Sequence, residues 1–245
     1  MVVLGLLLSL AIGLSLGLLG GGGSLLTLPV LHYVFNVSAH EAVAMSLVVV
    51  AVTSLVALAM HARAGSVRWA TGITFGAASM AAAFGGARIG STLPDSIVLA
   101  AFAITMLIAG TAMVLRRAPE PLGTTGSSIT LRATMIGLGV GLLTGVLGAG
   151  GGFIVVPTLM IGCGLALREA VATSVLVIAM NSLAALAAHA TETTLDMPLV
   201  ATVTSVAAVG SLLGIVLGYR LSTKHLQRGF GWFVITIGLV MLVRG

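Results

Sequence analysis

A glycine run written twice constrains this chain more than any other feature of it. The stretch Leu19-Gly20-Gly21-Gly22-Gly23-Ser24-Leu25-Leu26-Thr27-Leu28-Pro29-Val30 returns as Leu147-Gly148-Ala149-Gly150-Gly151-Gly152-Phe153-Ile154-Val155-Val156-Pro157-Thr158, with the two prolines 128 residues apart. Each copy sets glycines between two apolar segments. Of 245 residues, 58% are hydrophobic and 7% charged, against roughly 25% charged in an ordinary soluble domain. Such a chain cannot cover a water-facing surface, so it reads as an integral membrane protein. In lipid, irregular backbone is tolerated only where it is buried in protein or lines a polar cavity. Breaks at matching positions of two halves point to the binding site of a repeat-built transporter.

The rest of the chain follows this programme. Val2 to about Leu19 is an apolar arm, and Ser24 to about Phe35 is long enough only for a half-crossing, since a full one takes about 20 residues. His40 to His61, Trp69 to Ile89 and Ile97 to Leu115 are full spans. A polar linker, 118–130, divides repeat 1 (1–117) from repeat 2 (131–245) within one membrane domain. The second half then repeats the order. Arg132 to Leu147 and Gly152 to Cys163 are its arms, and Arg168 to His189, Pro198 to Tyr219 and Leu226 to Val243 its spans. The apolar N-terminus lacks the basic segment of a signal peptide and is read as mature structure.

The internal match extends beyond the glycines. At the same offset Gly13 meets Gly141, Gly17 meets Gly145, Glu41 meets Glu169, Ser46 meets Ser174 and His61 meets His189; after a four-residue shift, Gly86 to Ile89 meets Gly218 to Leu221. Basic residues favour cytoplasmic loops. That places the loops with Arg63 and Arg68, Arg116 and Arg117, Arg132, Arg168, and Arg220, Lys224 and Arg228 inside, and those with Asp95, Glu192 and Asp196 outside. Both termini then lie outside and the halves are inverted. The expected fold is an all-α polytopic membrane protein of two inverted repeats, each a glycine-broken re-entrant hairpin plus three transmembrane helices.

A half-helix that starts after a glycine turn offers free N–H groups and the positive end of its dipole, a ready anion site. Gly21, Gly22, Gly23 and Ser24, with the Thr27 hydroxyl, and Gly150, Gly151 and Gly152 are therefore expected to cradle one small oxyanion between two turns at the bilayer midplane. Ser46, Ser174 and Asn181 recur at helical spacing and line the expected pathway. Ionisable groups near span ends form two gating or proton-coupling sets: Glu41, Arg88 and His189 on the outer side, and Glu169, Arg220 and His61 on the inner. The plain alternatives are glycines that serve packing alone, arginines that snorkel, and hydroxyls that bond their own helix.

The sequence holds no P-loop, nucleophile elbow or His-Glu-x-x-His, so no enzyme is expected, and transport would draw on an ion or substrate gradient. One cysteine, Cys163, leaves no internal disulfide, and no metal-binding spacing or cofactor motif occurs. Basic residues at span ends without aromatic interleaving exclude a nucleic-acid footprint. The expected partners are a small anion, the bilayer, and protons as coupling ion; the residues leave oligomeric state open.

The glycine runs leading to Pro29 and Pro157, with Glu41-Ala42-Val43-Ala44, Glu169-Ala170-Val171-Ala172 and Gly86-Ala87-Arg88-Ile89-Gly90, resemble the TauE/SafE family of sulfite exporters over nearly the whole chain. The resemblance implies a secondary permease or exporter of the bacterial or archaeal inner membrane, acting on sulfite, sulfonates or sulfoacetate. A passive anion channel built on the same turns, or a membrane scaffold, remains the alternative. Gly218-Tyr219-Arg220-Leu221 departs from the family pattern by its tyrosine and leucine.

Overall fold

A computed structural model describes residues 2–21, 23, 26–27, 30–31, 34–37, 39–90, 95–115, 127–147, 152–189 and 196–244. Within them every regular element is an α-helix. These are α1 (Val2–Leu19), α2 (Ala39–Arg63), α3 (Trp69–Gly90), α4 (Asp95–Leu115), α5 (Ser127–Leu147), α6 (Gly152–Gly162), α7 (Leu167–His189), α8 (Met197–Arg220) and α9 (Thr223–Arg244). Among the described residues three stretches are long and apolar enough to cross a membrane: Ala44–Arg63, Leu167–Ala187 and Met197–Arg220. Leu7, Ile73, Phe84, Ile108 and Val209 stand exposed on the outside of the bundle. Outward-facing side chains of that kind suit a hydrocarbon solvent, and Trp69 and Trp232, both exposed near helix ends, suit its interface.

Helix ends follow local chemistry. Asp196 caps α8 by accepting the Leu199 N–H at 3.1 Å, with Pro198 in the first turn where a missing donor costs nothing. The two half-length arms end alike: Val37 N–H donates to Leu31 O and Leu165 N–H to Leu159 O, each at 3.2 Å, across a left-handed Asn36 and a left-handed Gly164. Those two residues are 128 apart, so the duplication extends to the caps.

Packing repeats the same exchange. Helix α1 lies along α8 and α5 along α3, α2 meets α7, and α4 meets α9. At Gly13 and Gly17 an added Cβ would overlap the carbonyl oxygens of Ala207 and Ser211; at Gly141 and Gly145 it would overlap those of Ser79 and Ala83. Each of these contacts becomes the other on adding or subtracting 128. Small residues are what let two backbones touch in lipid, where no hydrophobic force pushes helices together. These contacts also correct one sequence expectation. They pair α3 with α8 at the plain offset, one helical turn from the register that aligns Gly86 with Gly218, and four residues keep the same helix face in either case.

The chain doubles back after each long arm. Phe35 lies against Gly5, and Gly23 against Ile12 and Leu16, so the segment after α1 returns beside it; Gly162 at the end of α6 lies against Ile136 of α5. Val155, Val156, Leu159 and Met160 of α6 are almost wholly buried, which is how a segment too short to span is kept from lipid.

Candidate functional site

The first glycine break is real and sharply made. Gly20 ends α1 at φ 71, its N–H donating to Leu16 O at 2.8 Å, and it presses on α7, where an added Cβ would meet Val171 backbone and Ser174 Oγ. Leu18 lies against Gly218, two residues before α8 ends at Arg220, so the turn sits at the end of α8 and not beside its middle. Gly145 lies against Ala83, which carries the end of α5 toward the end of α3. The glycine seams let each long arm lie flush along its neighbour. Gly22, Ser24, Gly150 and Gly151 themselves lie outside the described residues, and Gly21, Gly23 and Gly152 are buried.

Two of the expected site hydroxyls, those of Thr27 and Ser174, bond main-chain carbonyls. Thr27 Oγ1 donates to Gly23 O at 2.8 Å. Ser174 Oγ lies 3.0 Å from Gly20 O and 2.8 Å from Val171 O, pinning the first turn to α7 in the other half. Ser46 is half-buried on α2. Asn181 donates through Nδ2 to Ser79 Oγ of α3 at 3.2 Å, while its Oδ1 is buried with no partner; Ser54 Oγ on α2 is likewise buried and unpartnered. A buried polar atom without a partner is uncommon and calls for a ligand or water.

The ionisable residues separate. Glu41 is half-buried in the first turn of α2 and Arg220 is exposed at the end of α8; the side chains of Arg88 and His189 fall outside the described residues. Glu169 is held by Arg68, whose Nε and Nη2 reach Oε1 at 3.0 and 2.6 Å, and the Arg68 N–H donates to Thr173 Oγ1 at 3.1 Å. With the Arg68 side chain 61% exposed, this bridge is a surface pair, so Arg68→Ala is expected to cost at most about 1 kcal/mol by thermal melting in detergent. A loss several-fold larger would mean that the pair holds α2 to α7.

His61 sits in the last turn of α2, buried, with Nδ1 3.5 Å from Ser66 Oγ and with Nε2 unpartnered. Its ring lies 6.2 Å from that of Tyr219, and Arg168 covers the other partner: its guanidinium stands 5.6 Å over the Tyr219 ring and Nη2 donates to Tyr219 O at 3.2 Å. With Gly17, Leu18, Val171, Ile215 and Gly218 these side chains line a cleft beside the first turn. The sequence pointed to His61 but not to its neighbours. Arg168 read as a topology signal alone, although the tyrosine departure at position 219 marked the place.

An all-helical bundle with an apolar exterior, glycine-sealed helix contacts and doubled-back arms defines a polytopic membrane protein. Residues 5–241 match the model of the family described as "Sulfite exporter TauE/SafE", and the chain belongs to that family. A Xylella fastidiosa protein named "Probable membrane transporter protein" is 30% identical over 239 residues, covering 95% of this chain and 92% of the relative. A Bacillus subtilis protein, "Probable membrane transporter protein YdhB", is 29% identical over 220 residues, 88% of each chain. A Methanocaldococcus jannaschii relative also named a probable membrane transporter protein is 26% identical over 255 residues, covering 96% of this chain and 95% of its own. No solved structure matches.

Proposed function

We propose that this protein is a secondary transporter that carries a small sulfur-containing anion, such as sulfite or a sulfonate, by alternating access between two inverted halves. The observation that carries this reading is the sense in which equivalent helices meet. The last turn of α2 lies by the beginning of α7, where His61 and Arg168 line one cleft, and the loop that follows α2 is bound there through Arg68 with Glu169 and Thr173. In α4 and α9, Gly110 faces Gly231 and Ile235 while Gly238 faces Met106 and Ala103, so these too run in opposite directions. Helices that correspond in sequence and run antiparallel across a shared contact support an inverted repeat, the architecture that lets one packing present its site to either face.

On this reading each glycine turn serves the face nearest to it, with Gly21 to Ser24 donating at one end and Gly150 to Gly152 at the other. Ser54 and Asn181, whose unpartnered polar atoms lie within the bundle, bridge the distance between them. Glu169, Arg220 and His61 attend the first turn, and Glu41, Arg88 and His189 the second. Neutral N–H donors bind an oxyanion without trapping it, which suits a carrier that must also release.

Sulfite uptake into proteoliposomes of the purified protein tests this, with and without a pH gradient to read proton coupling. Saturable flux and exchange of labelled for unlabelled sulfite are expected. Currents at channel rates would favour a passive pore, and no flux across sulfite and small sulfonates would remove the transport reading.

A further inference from the structure

Two of the side chains that line the cleft beside the first glycine turn, Arg168 and Tyr219, have no like residue at the repeat positions, and this difference has a consequence. His61 also lines the cleft, and the buried Nε2 of that ring has no hydrogen-bond partner among the described residues. Arg168 fixes its guanidinium over Tyr219 through one N–H to a main-chain oxygen, leaving its other donors free of any carboxylate among the described residues. The neighbouring Glu169 carboxylate is taken by Arg68, so it does not neutralise Arg168. Arg168 also stands at the start of α7, a helix of 23 residues whose dipole adds positive potential at this point. The cleft is open to one side and encloses only about 20 Å³, so a guest sits partly at its mouth and has to be small. At the repeat positions 128 residues away, His189 stands for His61, but His40 stands for Arg168, and neither Ala87 nor Ser91, the counterparts of Tyr219 in the two registers, is aromatic.

We propose that His61, Arg168 and Tyr219 form a binding station for one small oxyanion on a single face of the protein, with the guanidinium and the imidazole Nε2–H as donors and the tyrosine ring as the support that orients Arg168. The proposal rests on the transport reading and makes it directional: the two faces bind the anion unequally because only one has the station. An inverted repeat with identical ends would favour neither side. Here the asymmetry comes from two replacements, arginine for histidine and tyrosine for a small residue.

The test is the sulfite KM measured separately from each face in oriented proteoliposomes, together with calorimetric titration of the detergent-purified protein with sulfite under anaerobic conditions. Arg168→Gln and His61→Gln are each expected to raise KM from the face bearing Arg168 about tenfold, the effect of losing a charge-assisted or buried hydrogen bond, and to leave the opposite face within about twofold. Arg168→Lys, which keeps the charge but loses the fork and the stacking, is expected to fall between. Arg63→Gln removes a charge from the same end without touching the cleft, and both of its KM values are expected to stay within about twofold. Equal rises from both faces, unchanged values, or an Arg63→Gln effect as large as that of Arg168→Gln would each overturn the station. Wild-type protein that carries no sulfite yet binds it, with binding lost in Arg168→Gln, would reject the transport reading and keep the station; wild-type protein that neither carries nor binds it rejects both. Should Arg168→Gln fail to elute as a single species, His61→Gln and Arg168→Lys decide the same question.

Discussion

Alanine at Gly17 and Gly145 together is expected to strip both long arms from their seats and leave little protein that elutes as one species in detergent. At each position the new Cβ would meet a main-chain carbonyl of the neighbouring helix, Ser211 in one case and Ala83 in the other. A backbone atom cannot swing aside as a side chain does, so the helices must part along their length. Overpacking of this kind costs typically about 1–3 kcal/mol per site, and distant sites add, which makes the pair worth about 2–6 kcal/mol. That is a large share of the roughly 5–15 kcal/mol that separates folded from unfolded protein. Gly85 and Gly139 are the controls, for no atom lies within 4 Å of a Cβ added at either. Alanine there is expected to be neutral or to stabilise by up to about 1 kcal/mol through helix propensity. If all four substitutions lowered the melting temperature equally, the seams would not be what joins the halves.

The second large effect is expected at Gly20. Two glycines with left-handed backbone, Gly20 at φ 71 and Gly65 at φ 67, differ only in what surrounds them. Gly65 follows α2 in a tight cap, with the Ser66 N–H reaching His61 O at 3.2 Å, and it has open space where a Cβ would go. Alanine at Gly65 thus carries only the backbone penalty, about 1–2 kcal/mol. At Gly20 the same penalty is joined by collision with Val171 backbone and with Ser174 Oγ, the group whose hydroxyl ties the turn to α7. Gly20→Ala is expected to abolish sulfite flux and to lower the melting temperature several-fold more than Gly65→Ala. Similar melting losses, with flux retained in both, would show that the first turn is free to reshape and has no part in the pathway.

Much of this could be read in the residues before any coordinates. The pairing of Gly13 with Gly141 and of Gly17 with Gly145 was legible because a helix interface in lipid needs small residues at fixed spacing. The ends of the half-length arms near Phe35 and Cys163 were legible because an apolar run stops where polar or turn-forming residues begin. The place of the first turn along α8 was not. A glycine run announces a break but not how far along its neighbour the preceding arm extends, and the four-residue ambiguity between α3 and α8 leaves the same face inward in either register. Thr27 and Ser174 read as ligand hydroxyls, and their bonds to carbonyls at 2.8 and 3.0 Å could not be read from residue type.

By itself the sequence determined the solvent this protein lives in, its duplication, the glycines on which its helices meet and the family to which it belongs. All of these follow from composition and spacing, which lipid reads residue by residue. Only the tertiary structure decided that the first turn lies level with the end of α8, that Glu169 belongs to Arg68, and that Arg168 rests on Tyr219 beside the open Nε2 of His61. Those are distances between residues 51 to 200 positions apart, set by how far one helix slides along another before its glycines lock against a carbonyl.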